Sequence, residues 1–174
     1  VTSKTAIKQR KRIAQDVLDQ LDAKRITARS GSYIRAPDTE YWRQFRSQAV
    51  HPYVPPKSCE ACAIASMFIA AVDRYNKVKL RHHPAGDDMT EALTRWWPVS
   101  ETRLMEVAFE RDDMPDAARY PDLYEALKTE RACAVWERKA ERAGEWGARY
   151  ETDDERLRAI CHKILRSKDG GFRV

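Results

Sequence analysis

No apolar run in this chain approaches the ~20 residues that a bilayer-crossing helix needs. The longest, Ala61 to Val72, is too short and lacks the positive flank and cleavage site of a signal peptide. Cysteine is sparse: four residues, only two of them close in sequence, which suggests reduced thiols in a cytosolic setting rather than a disulfide framework. There is no Gly-rich phosphate loop, nucleophile elbow, HExxH or Asp-rich metal run. Acidic clusters do occur, at Asp87-Asp88, Asp112-Asp113 and Asp153-Asp154-Glu155. Each sits at a loop or helix start, where acids serve as caps. Internal repeats, low-complexity linkers and βαβ alternation are also missing, which removes solenoid and parallel α/β architectures. The expectation is a protein without catalytic activity.

What is present describes an ordinary globular domain. The 174 residues suffice to close one core, and 34 % charged against 43 % hydrophobic residues is a folded, soluble balance. Arginine outnumbers lysine 21 to 11 and the chain starts at Val1, as a GUG codon read literally would give. Both fit a bacterial or phage reading frame, and a trimmed chain would look the same. The net charge of +5 is uneven: residues 1 to 50 hold eleven Lys/Arg against five Asp/Glu, the remainder 21 against 22. An anionic partner is therefore sought first at the N-terminal third.

Hydrophobic spacing predicts a mainly α, single-domain bundle over residues 1–174, with about six helices around a central apolar one and one small β-hairpin. Ser3 caps a first helix to about Lys24, with Ile13, Ala14, Val17, Leu18 and Leu21 on its inner face. The hairpin covers residues 25–35, its turn at Ser30-Gly31-Ser32. Asp38 caps a short helix carrying Tyr41, Trp42 and Phe45, and the prolines of His51 to Ser58 force an extended path. Ser58 then caps the central helix SCEACAIASMFIAAVDRY, which leaves through Asp73-Arg74-Tyr75-Asn76. Further helices are expected from Met89 to Trp97, from Ser100, and from Asp122 through about Ala143. The last begins with the capping box Thr152-Asp153-Asp154-Glu155 and ends at Gly170-Gly171.

Cys59 and Cys62 have the spacing of a zinc knuckle, and His82 and His83 are the histidines best placed to complete such a site. A redox pair would need a strand–helix context that the preceding prolines do not provide. A zinc-deaminase reading fails, because no proline abuts Cys59 and His51 is followed by Pro52-Tyr53 rather than an acid two positions on. The favoured reading makes both cysteines small hydrophobes in a tightly packed helix, with no cofactor. Lys4, Lys8, Arg10, Lys11 and Arg12, extended by Arg25, Arg29 and Arg35, form a candidate basic face for a partner or nucleic acid. Trp96 and Trp97 point about 100° apart on a helix, which makes one of them a candidate exposed interface anchor.

The stretches ARSGSYI, CEACAIASMFIAAVDRYN and ERLRAICHKILRSKDGGFR resemble a group of small uncharacterised proteins of phages, prophages and other mobile elements. The resemblance implies a setting, not residues: an accessory protein in the bacterial cytoplasm. It leads to the expectation of a non-enzymatic interaction protein that binds a bacterial protein or ribonucleoprotein complex, with anti-CRISPR-type inhibition as its sharpest form. The alternatives are a nucleic-acid-binding accessory protein and a zinc-supported module.

Overall fold

The first helix starts where its cap predicts. Ser3 Oγ accepts the Ala6 N–H at 3.1 Å, and α1 runs over Lys4–Asp22 with Ile13, Ala14 and Val17 fully buried. The structure, a computed structural model, describes residues 3–47, 49–75, 78–111 and 117–174; the expectations for Asn76 and Asp112-Asp113 fall outside them.

Strands β1 (Ile26–Ala28) and β2 (Ile34–Arg35) follow, with the expected turn between them, but they do not pair with each other. Past α2 (Thr39–Arg43) and β3 (His51–Pro52), strand β4 (Cys59–Ala61) inserts between them, parallel to β1 and antiparallel to β2. The expected hairpin is thus corrected to a three-stranded sheet. Two causes act together. Cys59-Glu60-Ala61 alternates buried, half-buried, buried, the period of a strand. The turn is also held from elsewhere: Asp153 accepts the Ser30 N–H at 2.7 Å, and Glu110 accepts the Gly31 N–H at 2.8 Å. Gly31 has a φ of +72°, a left-handed conformation that suits glycine.

The central helix consequently starts later than Ser58. It is α3 (Ala63–Tyr75), and every residue from Ala63 to Val72 is buried. Strand β5 (Lys79–Leu80) pairs antiparallel with β3. The rest is helical: α4 (Gly86–Leu93), α5 (Val99–Glu110), a 3-10 turn at Ala117–Arg119, α6 (Pro121–Leu127), α7 (Glu130–Gly147) and α8 (Asp153–Arg166). Eight α-helices are thus present among the described residues, against about six expected. One continuous core draws on residues from Ile13 to Phe172.

The single helix expected from Asp122 to Ala143 is two. Lys128 adopts φ 60°, a left-handed end to α6, and Thr129 Oγ1 accepts the Ala132 N–H at 3.1 Å to start α7 afresh. The second piece then reaches Gly147, where α7 crosses α5 so closely that a Cβ would stand 1.8 Å from the Ala108 carbonyl oxygen.

The α8 capping box is formed as read: Thr152 Oγ1 accepts from Glu155 N–H and Glu155 Oε2 from Thr152 N–H, each at 3.2 Å. In the same turn Asp153 is electrostatically loaded. Burial alone would push its carboxyl up, but the Ser30 N–H, the Arg156 guanidinium and the Ser30 hydroxyl outweigh burial and hold it below the usual aspartate range. A depressed folded-state value means that this stabilisation is complete above the unfolded value of about 3.9 and disappears as pH falls through the folded one. Asp153→Asn should therefore cost stability at neutral pH, and its gap to the unaltered protein should narrow as the pH falls below the unfolded value of about 3.9. Urea-unfolding midpoints at neutral pH and below that value measure this directly.

Candidate interaction groove

The structure disperses the residues that sequence spacing suggested for metal. Cys59 lies in β4 and Cys62 at the start of α3, with 6 % and 2 % of their surfaces exposed. Burial pushes both thiols up to about 12, although backbone N–H groups at the start of α3 pull Cys62 the other way. His82 is exposed, with Nδ1 3.8 Å from Asp88, while His83 stacks on Trp42 at 4.7 Å. Among the described residues no three His, Cys, Asp or Glu side chains converge as metal ligands, so the arrangement Cys59, Cys62, His82, His83 is not assembled. The two sulfurs fill space at the junction of sheet and helix. Iodoacetamide at about pH 8 should leave both unmodified in the native protein, under conditions that alkylate the urea-unfolded chain fully. Native alkylation of Cys62 at the rate of a free thiol would contradict this.

The expected basic face is partly consumed. Arg10 is buried: its Nε donates to the Trp96 carbonyl and its Nη1 to the Asp169 carbonyl at 3.2 Å, so it staples the tail to α1 and cannot meet a phosphate. Arg25 pairs with Asp73 at 3.3 Å; Arg29 and Arg35 both face Glu60, at 2.9 and 3.8 Å. Lys4, Lys8 and Arg12 are exposed and Lys11 is half-buried, and none of the four forms an ion pair among the described residues. Both tryptophans of the pair are corrected as interface anchors. Trp97 is fully buried, its Nε1 donating to the Gly170 carbonyl at 3.0 Å, and Trp96 is 8 % exposed and packs on Tyr75.

A concavity lies elsewhere, between α5, the α6–α7 junction and the C-terminal tail. It encloses about 710 Å³. Its construction follows from the chain. The left-handed break at Lys128 turns α7 back across α5, and the close approach at Gly147 fixes one end of the crossing. The tail closes the side, because Phe172 is buried and its N–H donates to Glu101 at 2.5 Å. Leu104, Leu127, Val135, Trp136 and Phe172 supply apolar surface, with Val135 37 % exposed. Trp136 is held by a hydrogen bond from its Nε1 to the Ser100 carbonyl at 2.9 Å.

The rim is cationic. Arg131, Lys139 and Arg142 are exposed and make no ion pair among the described residues, whereas Arg173 pairs with Asp169. The one carboxylate side chain in the lining, Glu101, is occupied by the Phe172 N–H. Burial pushes it up from the ordinary range against the pull of that N–H and of Arg10. The concavity therefore offers apolar surface bordered by positive charge, an arrangement that suits binding. Sequence reading missed it, although one signal was there: Arg131, Val135, Lys139, Arg142 and Trp146 recur at steps of four, four, three and four on α7. Among the described residues no helix is long and apolar enough to cross a membrane. Compared with known proteins, the chain matches no family model, no curated protein and no solved structure.

Proposed function

We propose that this is a non-enzymatic interaction protein that holds a partner protein in the groove between α5, α7 and the C-terminal tail. The observation that carries the reading is the coincidence of an exposed apolar side chain, Val135, with Arg131, Lys139 and Arg142, cations that form no ion pair among the described residues, around one concavity. Apolar anchors in a pocket with a charged rim are the usual anatomy of a protein interface. The proposed setting is the bacterial cytoplasm, with the protein encoded by a phage or mobile element and acting on a bacterial protein or ribonucleoprotein complex; a defence system is the sharpest target. Support for that setting is the likeness of ARSGSYI, CEACAIASMFIAAVDRYN and ERLRAICHKILRSKDGGFR to such accessory proteins.

A second reading, nucleic acid on α1, is favoured by one observation: Lys4, Lys8 and Arg12 are exposed and form no ion pair among the described residues. It is narrower than the sequence suggested, since Arg10, Arg25, Arg29 and Arg35 are engaged within the fold.

A photo-crosslinking residue at Val135, with one at Val54 as control, tests the leading reading in bacterial cells. Val54 is 62 % exposed and lies outside the groove. The expected result is a discrete adduct with one protein from position 135 that is absent from position 54, and binding of that protein after purification. Identical adducts from both positions, or none, would reject the groove.

A further inference from the structure

We infer that the groove takes an acidic amphipathic helix from its partner, a conclusion that rests on the reading above and adds the occupant's chemistry. The first support is length. The α7 stripe from Arg131 to Trp146 spans about 22 Å at 1.5 Å per residue, room for roughly fifteen helical residues. The track continues past Trp146, whose ring lies 5.4 Å from Phe172 in the first groove and also lines a second concavity of about 700 Å³ with Tyr150, His162, Lys163 and Arg166.

The second support is charge. Each concavity has one carboxylate side chain in its lining, and both are engaged with backbone: Glu101 by the Phe172 N–H and Glu155 by the Thr152 N–H. Arg158 is occupied by Asp154 and Asp22, each at 2.7 Å. Arg131, Lys139, Arg142, Lys163 and Arg166 then remain without an ion pair among the described residues, so the whole track is electropositive. A partner's carboxylates would complement it, and a basic segment would be repelled.

The third support is the kind of apolar surface offered. Leu104, Leu127 and Val135 are aliphatic; Trp136 is only 3 % exposed, and Lys163 sits 5.0 Å over the Trp146 ring. In the first groove both aromatic rings of the lining, Trp136 and Phe172, are buried rather than open for stacking bases, which favours protein over single-stranded nucleic acid. The walls are helices and a tail, with no strand in the lining to accept an added strand, so the mode left is a helix laid in a groove.

Fluorescence anisotropy with designed peptides of about sixteen residues tests this. All carry the same leucine stripe at helical spacing; their flanking positions are Glu, Gln or Lys. The Glu peptide should bind at least about tenfold more tightly than the Gln peptide, and the Lys peptide most weakly. The difference between Glu and Gln should vanish in Arg131→Gln/Lys139→Gln/Arg142→Gln, whose altered residues are all exposed and whose fold is checked by circular dichroism. Equal binding of the Glu and Gln peptides would refute the acidic occupant while leaving the groove intact. If Val135→Glu weakened neither peptide, the groove itself would be refuted. Displacement of the Glu peptide by a single-stranded oligonucleotide of similar length would assign the track to nucleic acid instead, and no binding by any peptide would overturn the inference outright.

Discussion

Replacing Arg156 with alanine is expected to lower stability by about 3–5 kcal/mol, the usual cost of breaking a buried charge network from one side. Arg156 is fully buried. Its guanidinium donates to the carbonyls of Phe109 at 2.8 Å, Gly147 at 3.1 Å and Tyr150 at 3.2 Å, and to Asp153 at 2.8 Å. Phe109 lies in the last turn of α5 and Gly147 ends α7, where carbonyls have no partner further along the helix. One side chain from α8 thus serves the free ends of both helices that form the groove, and a cation suits those ends electrostatically. For a chain of this size the loss corresponds to a melting temperature lower by roughly 6–20 °C. Thermal unfolding followed by circular dichroism reads it; a shift of under about 2 °C would mean that water replaces the guanidinium freely. Arg156→Lys should recover little, since a single ammonium cannot span four acceptors.

Arg103→Ala should be comparably damaging, at about 3–5 kcal/mol, for a related reason. Arg103 is 2 % exposed and gathers three carboxylates from three helices: Glu106 at 2.7 Å, Asp87 at 2.7 Å and Asp122 at 3.0 Å. Its guanidinium also lies 4.8 Å from the Tyr120 ring centroid. Burial works against its charge but the carboxylates prevail, so its proton is held above the ordinary arginine range. Asp87, with 86 % of its side chain exposed, should add little; Glu106, at 10 %, should dominate the penalty, because it would be left buried without a counter-charge. A double-mutant cycle separates the two. Arg103→Met/Glu106→Gln should recover about 1 kcal/mol or more relative to the sum of the single changes, since both charges then leave together. Additivity within about 0.3 kcal/mol would place the stabilisation elsewhere.

Much of the scaffold was legible because its signals are local. Ser3 and Thr152 cap helices in the positions read from the sequence, and the stripe Ile13-Ala14-Val17-Leu18-Leu21 is buried. Central burial of the apolar stretch also held. Its start did not, because Ser58 is a good cap in isolation while the sheet edges at Ile26–Ala28 and Ile34–Arg35 require Cys59–Ala61 as a strand between them. The tryptophan pair misled for a similar reason. Both residues follow α4 instead of lying on it, so the 100° argument for one helix does not apply: Trp97 meets Gly170 and Trp96 meets Tyr75. Arg10 was read from its place in a run of cations, but its partners are the backbone carbonyls of Trp96 and Asp169, far along the chain.

The groove was illegible for a deeper reason. Only one wall carries a periodic signature, on α7; the others come from α5 and from Phe172, brought together by the break at Lys128 and the contact at Gly147. Charge counting by region pointed to the N-terminal third, because the acids of residues 51 to 174 balance its bases in sum. In space they do not balance. Glu101 and Glu155 are turned to backbone N–H groups, and the neighbouring cations are left to face outward.

The affinity of the protein crosslinked at position 135 is the most direct measurement of the account, compared between Val135→Glu and Val54→Glu. Both substitutions fall on exposed valines, so the fold tolerates each. A carboxylate placed on the apolar floor must be desolvated by any occupant, so Val135→Glu should weaken binding about 10- to 100-fold while Val54→Glu leaves it unchanged. Equal affinities for the two variants would mean that the partner sits on another surface.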